Sequence, residues 1–242
     1  MLLSIVIPAY NEEKRILRTL KDYYSFFKEQ EIEFELIVEM DGCIDKTEEI
    51  VKNFSKGKKE VRCLVFKERL GKGKGILEGI KVCKGEYIGF VDADNSIKAR
   101  EFYKLFLLCK NQGVDGVIAS RNLKGYFSKR GKKHRAFFSL AFNVFLVRVL
   151  FGLNYKDTQC GGKVFKREAI FEVLADVEKF KESFGFLFDL VLLYLMKKKG
   201  FLVIECYVEW VDRKGSKVNP IKVALEMFLQ ALRFRIKLWL CF

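Results

Sequence analysis

A chain of 242 residues, half of them hydrophobic, is long enough to bury a sizeable core as one large domain or two small ones. Its formal net charge of +14 points to acidic partners: nucleotides, nucleic acid or an anionic membrane face. Seven dispersed cysteines without a Cys-x-x-Cys pair argue for reduced thiols rather than a disulfide framework or a zinc site, and a single histidine, His134, argues against a Ser-His-Asp triad or a multi-histidine metal centre.

The opening strand, Leu2 to Ile7, reaches Pro8 too soon for a signal peptide. Pro8-Ala9-Tyr10-Asn11-Glu12 follows, and Ile16, Leu17, Leu20, Tyr23, Tyr24 and Phe27 then recur at helical spacing. Phe34 to Met40 predicts a second strand ending in Asp41-Gly42-Cys43-Ile44-Asp45-Lys46-Thr47, where Asp45 and Glu48 have the form of a capping box for the next helix. Val61 to Phe66 predicts a third strand, followed by a loop at Arg69-Leu70-Gly71-Lys72-Gly73-Lys74-Gly75 and a short helix to Cys83. A fourth strand runs through Tyr87-Ile88-Gly89-Phe90-Val91 into Asp92-Ala93-Asp94-Asn95-Ser96. Strands alternating with helices predict an α/β fold with a doubly wound, mostly parallel sheet, whose polar strand ends line one crevice. Asp115 to Ser120 reads as a fifth strand, ending in Arg121.

Two carboxylates one residue apart at a strand end, Asp92 and Asp94, are able to share one hard divalent cation, Mg²⁺ or Mn²⁺. The bland alternative is a helix cap at Asp94 or Ser96 for a helix starting near Lys98. Glycines at alternate positions in the 69–75 loop allow close backbone approach to phosphates, with Arg69, Lys72 and Lys74 adding charge; a solvated basic turn weighs equally on that loop alone. The glycine spacing matches neither the Walker nor the dinucleotide pattern.

Taken together, Ile7 to Glu12, Asp41-Gly42 with Asp45 and Thr47, Gly71-Lys72-Gly73 and Asp92-Ala93-Asp94 resemble the family 2 inverting glycosyltransferases of the nucleotide-diphospho-sugar (GT-A) type. The resemblance implies that Pro8, Ala9, Tyr10, Asn11, Glu12 and Asp41 grip the nucleoside of the donor, with Lys72, Lys74, Asp92, Ala93 and Asp94 completing the nucleotide-sugar site. It implies a metal on Asp92 and Asp94, bound to the diphosphate. Met40 stands where the family often has an acid before Asp41.

The second half is similar to dolichyl-phosphate glucosyltransferases and dolichol-phosphate mannose synthases. Asp157-Thr158-Gln159-Cys160-Gly161-Gly162-Lys163 resembles their Asp-Thr-Gln-Cys-Gly segment and implies that Asp157, Gln159, Cys160, Gly161 and Lys163 line the sugar or acceptor pocket. Phe186 to Tyr194 resembles their Phe-Asp-x-Glu-Leu helix, with Val191 at the glutamate position. Trp210 to Lys217 resembles a segment that closes over phosphates. The resemblance covers residues 4 to about 219, which implies one transferase domain over 1–219, with a nucleotide-sugar half at 1–120 and an acceptor half at 121–219.

Between Arg121 and Arg135 stand seven Lys or Arg and no acid. The apolar run 136–153 that follows, broken by Ser139, Asn143 and Arg148, falls short of a spanning helix, and beside that basic block it suits either a core helix or an anionic headgroup layer. Pro220 opens a helix over 220–242 in which Lys222, Glu226, Gln230, Arg233 and Lys237 share one face, opposite Val223, Leu225, Phe228, Leu232 and Trp239. This reads as an in-plane amphipathic helix, so peripheral attachment to the cytoplasmic face of the cell membrane is expected.

The expected function is metal-dependent transfer of a hexose from a nucleotide sugar, UDP-glucose ahead of GDP-mannose, to a polyprenyl or dolichyl phosphate. A transferase of the same fold with a polysaccharide or protein hydroxyl acceptor is the alternative, although a Gln-x-x-Arg-Trp motif is missing from the sequence. A nucleic-acid-binding module is disfavoured and no nucleic acid is expected, because the aromatics cluster in helix-like runs rather than interleaving with basic residues. A phosphate acceptor is already anionic and needs no base. Arg121, Arg135, Arg213, Ser216 and Lys217 would hold it, with Asp94, Arg121 and Arg213 at the reaction centre and Asp189 as the fallback base for a hydroxyl acceptor.

Overall fold

The structure is a computed structural model that describes residues 1–121, 142–180, 185, 187–213 and 220–241. Arg135, Ser216 and Lys217, three of the expected phosphate-holding residues, lie outside the described residues, as do residues 136–141 of the apolar run.

The strands are β1 (Leu3–Ala9), β2 (Phe34–Asp41), β3 (Val61–Phe66), β4 (Tyr87–Phe90), β5 (Gly116–Ser120), β6 (Lys163–Lys166) and β7 (Val203–Tyr207). The helices are α1 (Ile16–Glu29), α2 (Thr47–Ser55), α3 (Lys72–Lys81), α4 (Ala99–Asn111), α5 (Phe142–Leu150, of π type), α6 (Arg167–Lys179), α7 (Phe188–Lys198) and α8 (Pro220–Cys241). One sheet contains all seven strands in the order β3-β2-β1-β4-β6-β5-β7. Pairing is parallel except where β6 runs antiparallel between β4 and β5. The expected doubly wound α/β sheet is therefore present, and the C-terminal ends of β2, β1 and β4 lie side by side.

The apolar runs explain why the central strands sit inside. Every residue of β2 is buried, as expected for a strand covered on both faces. On one face Ile76 of α3, Ile170 of α6, Leu190 of α7 and Phe234 of α8 join a core with Val6 and Phe90. On the other, Leu20 of α1, Val51 of α2 and Phe102 of α4 pack with Ile5, Ile7 and Val38. Each fully buried Leu, Ile or Phe contributes ~1.5–3 kcal/mol relative to exposure.

Several local expectations change. The glycine-rich stretch is helical from Lys72 onward, so only Arg69 to Gly71 remains loop. Asp45 does not form a reciprocal capping box: its Oδ1 accepts both the backbone N–H and the hydroxyl of Thr47, while Glu48 reaches forward to Lys52. α4 is not capped by Asp94 or Ser96, because the Ala99 N–H donates to Asp22 of α1 instead. β6 and β7 were not expected. β6 is only four residues long with a lysine at each end, which hides its strand character.

α8 is no free-standing surface helix. Met227, Ala231, Phe234 and Leu238 are buried, and the Phe234 ring stacks on Phe151 at 5.5 Å and meets Phe180 edge-on at 4.7 Å. Leu225 and Leu232, assigned by pattern to its apolar face, point outward with Leu229 and Ile236. Leu146 and Val147 of α5 face the core while Arg148 and Val149 are exposed, so the described part of the 136–153 run is a core-packed helix.

Candidate active site

The acidic loop after β4 is fixed from below by α1. The Thr19 hydroxyl donates to the Ala93 carbonyl at 2.7 Å and the Tyr23 hydroxyl to the Ile97 carbonyl at 3.0 Å, both from fully buried positions. Asn95 takes the left-handed conformation at φ 57, a turn that Asn tolerates better than most residues. Ala93 is buried, and Asp92 and Asp94 are partly exposed at the loop surface.

The two carboxylates have different surroundings. Asp92 Oδ1 lies 2.6 Å from Lys72 Nζ on the first turn of α3. Burial raises the Asp92 pKa, but Lys72 more than offsets this and holds it below the ordinary carboxylate range. Lys72 is pulled down by burial and raised further by Asp92, and remains charged. A Cβ on Gly161 would run into the Asp92 carboxylate, so only glycine lets the 157–162 segment approach this closely. Asp94 Oδ1 accepts the Ser96 N–H at 2.9 Å, and its Oδ2 has Arg15 at 3.9 Å.

The β1 and β2 loops are stitched together. The Glu12 N–H donates to the Thr47 hydroxyl at 2.7 Å, the Ile44 N–H to Asn11 Oδ1 at 2.9 Å, and the Glu13 N–H to Asp45 at 3.2 Å. Asn11 adopts φ 54. Asp41 is buried and accepts the Leu70 and Gly71 N–H groups, which ties the start of α3 to the end of β2. The Arg69 guanidinium stacks on the Tyr10 ring at 3.9 Å. Burial raises the Glu12 pKa, against a bidentate pair with Arg15 at 2.5 and 2.6 Å. Tyr10, Asn11, Glu12, Asp41 and Lys72 are thus drawn together at the ends of β1 and β2 and the start of α3; Pro8 and Ala9 end β1, with Ala9 buried, and Lys74 lies on the first turn of α3.

The expected pocket residues are brought together, in structural pairings of their own. Asp157 accepts the Arg121 backbone N–H at 3.0 Å and both arms of its guanidinium, at 2.7 and 3.0 Å. Burial lowers the Arg121 pKa and Asp157 raises it further, while Arg121 holds Asp157 low. Cys160 is buried, which pushes its thiol up to about 12. Lys163 is fully buried on β6, donates to the Cys160 carbonyl at 2.8 Å and pairs with Asp189 at 2.6 Å. Arg213 Nη2 reaches the Asn95 carbonyl at 3.4 Å, and the Val211 N–H donates to the Ser96 carbonyl at 2.9 Å, bringing the chain after β7 over the acidic loop.

Arg15 was missed because its position at the end of a polar loop carries no motif. Glu39, buried on β2 with no hydrogen-bond partner, was also missed: β2 carries three acids, and only the structure separates Glu39 from Glu35, which pairs with Arg62, and Asp41, which accepts backbone N–H groups.

Among the described residues no three His, Cys, Asp or Glu side chains converge on one point. Asp92 and Asp94 fit a divalent ion that takes one or two carboxylates and completes its shell with waters and phosphate oxygens.

The profile of the family described as "Glycosyl transferase family 2" matches residues 4–174, most of the chain and all of the elements just described from β1 into α6. The chain belongs to glycosyl transferase family 2. This family 2 enzyme is 32% identical over 249 residues to a dolichyl-phosphate beta-glucosyltransferase of Trichomonas vaginalis, covering 98% of the chain and 72% of that relative. It is 30% identical over 250 residues to the dolichyl-phosphate beta-glucosyltransferase of Dictyostelium discoideum, covering 97% and 74%. Its fold is that of the GT-A nucleotide-sugar transferases. A crystal structure of glucosyl-3-phosphoglycerate synthase from Mycobacterium tuberculosis, in complex with Mn²⁺, UDP and phosphoglyceric acid, superposes with a TM-score of 0.66 at 17% identity, covering 97% of this glycosyltransferase and 78% of that chain.

Proposed function

We propose that this glycosyltransferase moves glucose from UDP-glucose to a polyprenyl phosphate such as dolichyl phosphate, with inversion at the anomeric carbon and with a divalent cation, at an anionic membrane surface. The observation that carries the acceptor class is the state of the carboxylates. Asp92 is engaged by Lys72, Asp157 by Arg121 and Asp189 by the buried Lys163. Asp189 stood as the fallback base; with Lys163 2.6 Å away and its side chain 8% exposed, it is poorly disposed to take a proton from an incoming hydroxyl. An acceptor whose oxygen is already anionic needs no such base, because the second ionisation of a phosphate monoester lies near pH ~6.

The crevice would receive the nucleoside between the β1 and β2 loops, with Tyr10 and Arg69 at its mouth. Lys72 lies where it is able to meet a donor diphosphate, and Asp92 Oδ2 and Asp94 Oδ2 are the oxygens that would take a cation. A bound cation would neutralise charge developing on the leaving diphosphate. Arg213, on the Asn95 carbonyl, and Arg121, anchored on Asp157, stand near the acidic loop and would draw in the acceptor phosphate. Their charge offsets the repulsion between two anionic reactants, which otherwise opposes in-line displacement.

Attachment is supported by the outer face of α8. Leu225 is 60% exposed and Ile236 59%, with Leu229 and Leu232 between them and Arg233, Arg235 and Lys237 exposed alongside. Among the described residues no helix is long and apolar enough to cross a membrane.

The deciding experiment incubates the protein and Mn²⁺ or Mg²⁺ with UDP-glucose or GDP-mannose and a short prenyl phosphate across pH 6 to 9. Glucosyl-phosphoprenol formation from UDP-glucose is expected. Transfer only to sugar or peptide hydroxyls, with a rate that tracks a carboxylate titration, would overturn the acceptor assignment.

A further inference from the structure

Glu39 is fully buried, and neither of its carboxylate oxygens has a hydrogen-bond partner. It lies on β2 two residues before Asp41, so strand alternation puts both side chains on the face covered by α3. The first turn of α3 crosses directly over it: a Cβ on Gly75 would run into the Glu39 carboxylate. Its cross-strand neighbours, Pro8 on β1 and Leu64 on β3, carry no charge. The charges that act on it, Asp41 from its own strand and Glu78 from α3, are both negative. Of the α3 lysines, Lys72 is turned to Asp92, and Lys81 to Glu78 and Glu178, while Lys74 does not offset the charge. Burial first, then Asp41 and Glu78, push the Glu39 pKa from 4.5 up to about 8.

We propose that Glu39 is a positioning residue that seats α3 only as a neutral acid, so that its ionisation loosens the Leu70–Lys72 segment and weakens nucleotide binding. This rests on reading the crevice as a nucleotide-sugar site. A buried carboxylate without a partner must gain water or distance, since an uncompensated buried charge is strongly disfavoured. Either response lifts the start of α3. That start carries the Leu70 and Gly71 N–H groups bound by Asp41 and the Lys72 ammonium paired with Asp92. Glu39 therefore acts on the crevice through these three contacts.

The sign of the linkage is fixed. An acid whose pKa is about 8 when folded and 4.5 when unfolded holds its proton in the folded state alone between those values, so stability falls as pH rises from 4.5 to 8 and levels above that. Glu39→Gln keeps the shape of the neutral acid and removes the titration. If the ionised form does not bind nucleotide, the wild-type affinity for UDP drops about tenfold between pH 7 and pH 9.

The test measures UDP binding by calorimetry, with Mn²⁺, for wild type and Glu39→Gln from pH 7 to 9, together with the melting temperature of both free proteins from pH 5 to 9. UDP's own ionisation is common to both proteins, so the difference isolates Glu39. We expect wild-type affinity to fall about tenfold more than that of the variant, and the variant's melting advantage to grow up to pH 8 and then level. Parallel affinity curves with a constant melting gap overturn the inference. If neither protein binds UDP, the nucleotide-site reading fails, and the melting gap still decides whether Glu39 seats α3. Should the variant not fold, carboxyl ¹³C NMR of the wild type decides: a glutamate titrating near 8 supports the inference, and titration of every glutamate below 6 overturns it.

Discussion

Lys72 Nζ and Asp92 Oδ1, on the first turn of α3 and just beyond β4, lie 2.6 Å apart. The pair joins the basic loop and the acidic loop, which the sequence places twenty residues apart, into one charged edge of the crevice. It also distinguishes the two aspartates, because Asp92 has a cation in contact and Asp94 has Arg15 only at 3.9 Å.

Asp94→Ala is therefore expected to weaken Mn²⁺-dependent UDP binding by ~100-fold or more, beyond the cost of losing an outer partner of a metal site. Lys72→Ala removes one charged contact and is expected to weaken UDP about tenfold, the worth of a hydrogen bond to a charged group. Both variants should fold, as judged by circular dichroism. Equal effects of Asp94→Ala and Lys72→Ala on metal-dependent binding would argue against this division of roles.

The fold was legible where side chains carry a single message. The runs Leu3–Ala9, Phe34–Asp41, Val61–Phe66 and Tyr87–Phe90 are apolar, bounded by polar turns, and became the parallel strands. The crevice was legible for the same reason, since function gathers where those strands end. Residues with two duties were not legible. Lys163 reads as a pocket cation in sequence, yet its side chain crosses the core to Asp189, a contact set by tertiary packing between β6 and α7. Gly73 and Gly75 read as loop because glycine disfavours helix, but both are buried in α3, and Gly75 serves its close packing on Glu39 of β2. α8 has apolar residues on two faces: amphipathic pattern alone found Leu225 and Leu232, which do face outward, and missed Met227, Ala231, Phe234 and Leu238, which pack on the core.

The Lys163–Asp189 pair leads to a stability prediction rather than a catalytic one. Lys163 is fully buried and Asp189 nearly so, and removing one partner leaves an uncompensated charge inside. Asp189→Asn should cost ~3–5 kcal/mol by urea unfolding, while the paired change Lys163→Met with Asp189→Leu should recover most of it. A stable Asp189→Asn protein whose rate alone collapses would instead make Asp189 a base.

Gly161 makes a narrower point about Asp92. Gly161→Ala adds a methyl that must displace the Asp92 carboxylate or the 157–162 segment. Donor KM should rise and kcat should fall together, because both Lys72 and the acidic loop are shifted. Steady-state kinetics at saturating metal read this directly, and wild-type values in the variant would show that the loop gives way without cost.

The two faces of α8 make opposite predictions, which separates packing from attachment. Phe234 is fully buried between Phe151, Phe180 and Tyr194, so Phe234→Ala should cost ~3–5 kcal/mol of stability, the usual price of a large core cavity. Leu229 and Ile236 are exposed and support no core contact of that size. Replacing both with Ser should leave the melting temperature within a few degrees and lower binding to anionic liposomes, since an in-plane helix gains from apolar burial and from attraction to acidic lipid. Arg233 and Lys237 should each contribute ~1 kcal/mol of that attraction, screened by added salt. Cosedimentation with phosphatidylserine vesicles at low and high salt is the measurement. Unchanged sedimentation of the Leu229→Ser, Ile236→Ser protein would remove α8 from the membrane contact, and deletion of residues 221–242 would not substitute for this test because it also strips Phe234 from the core.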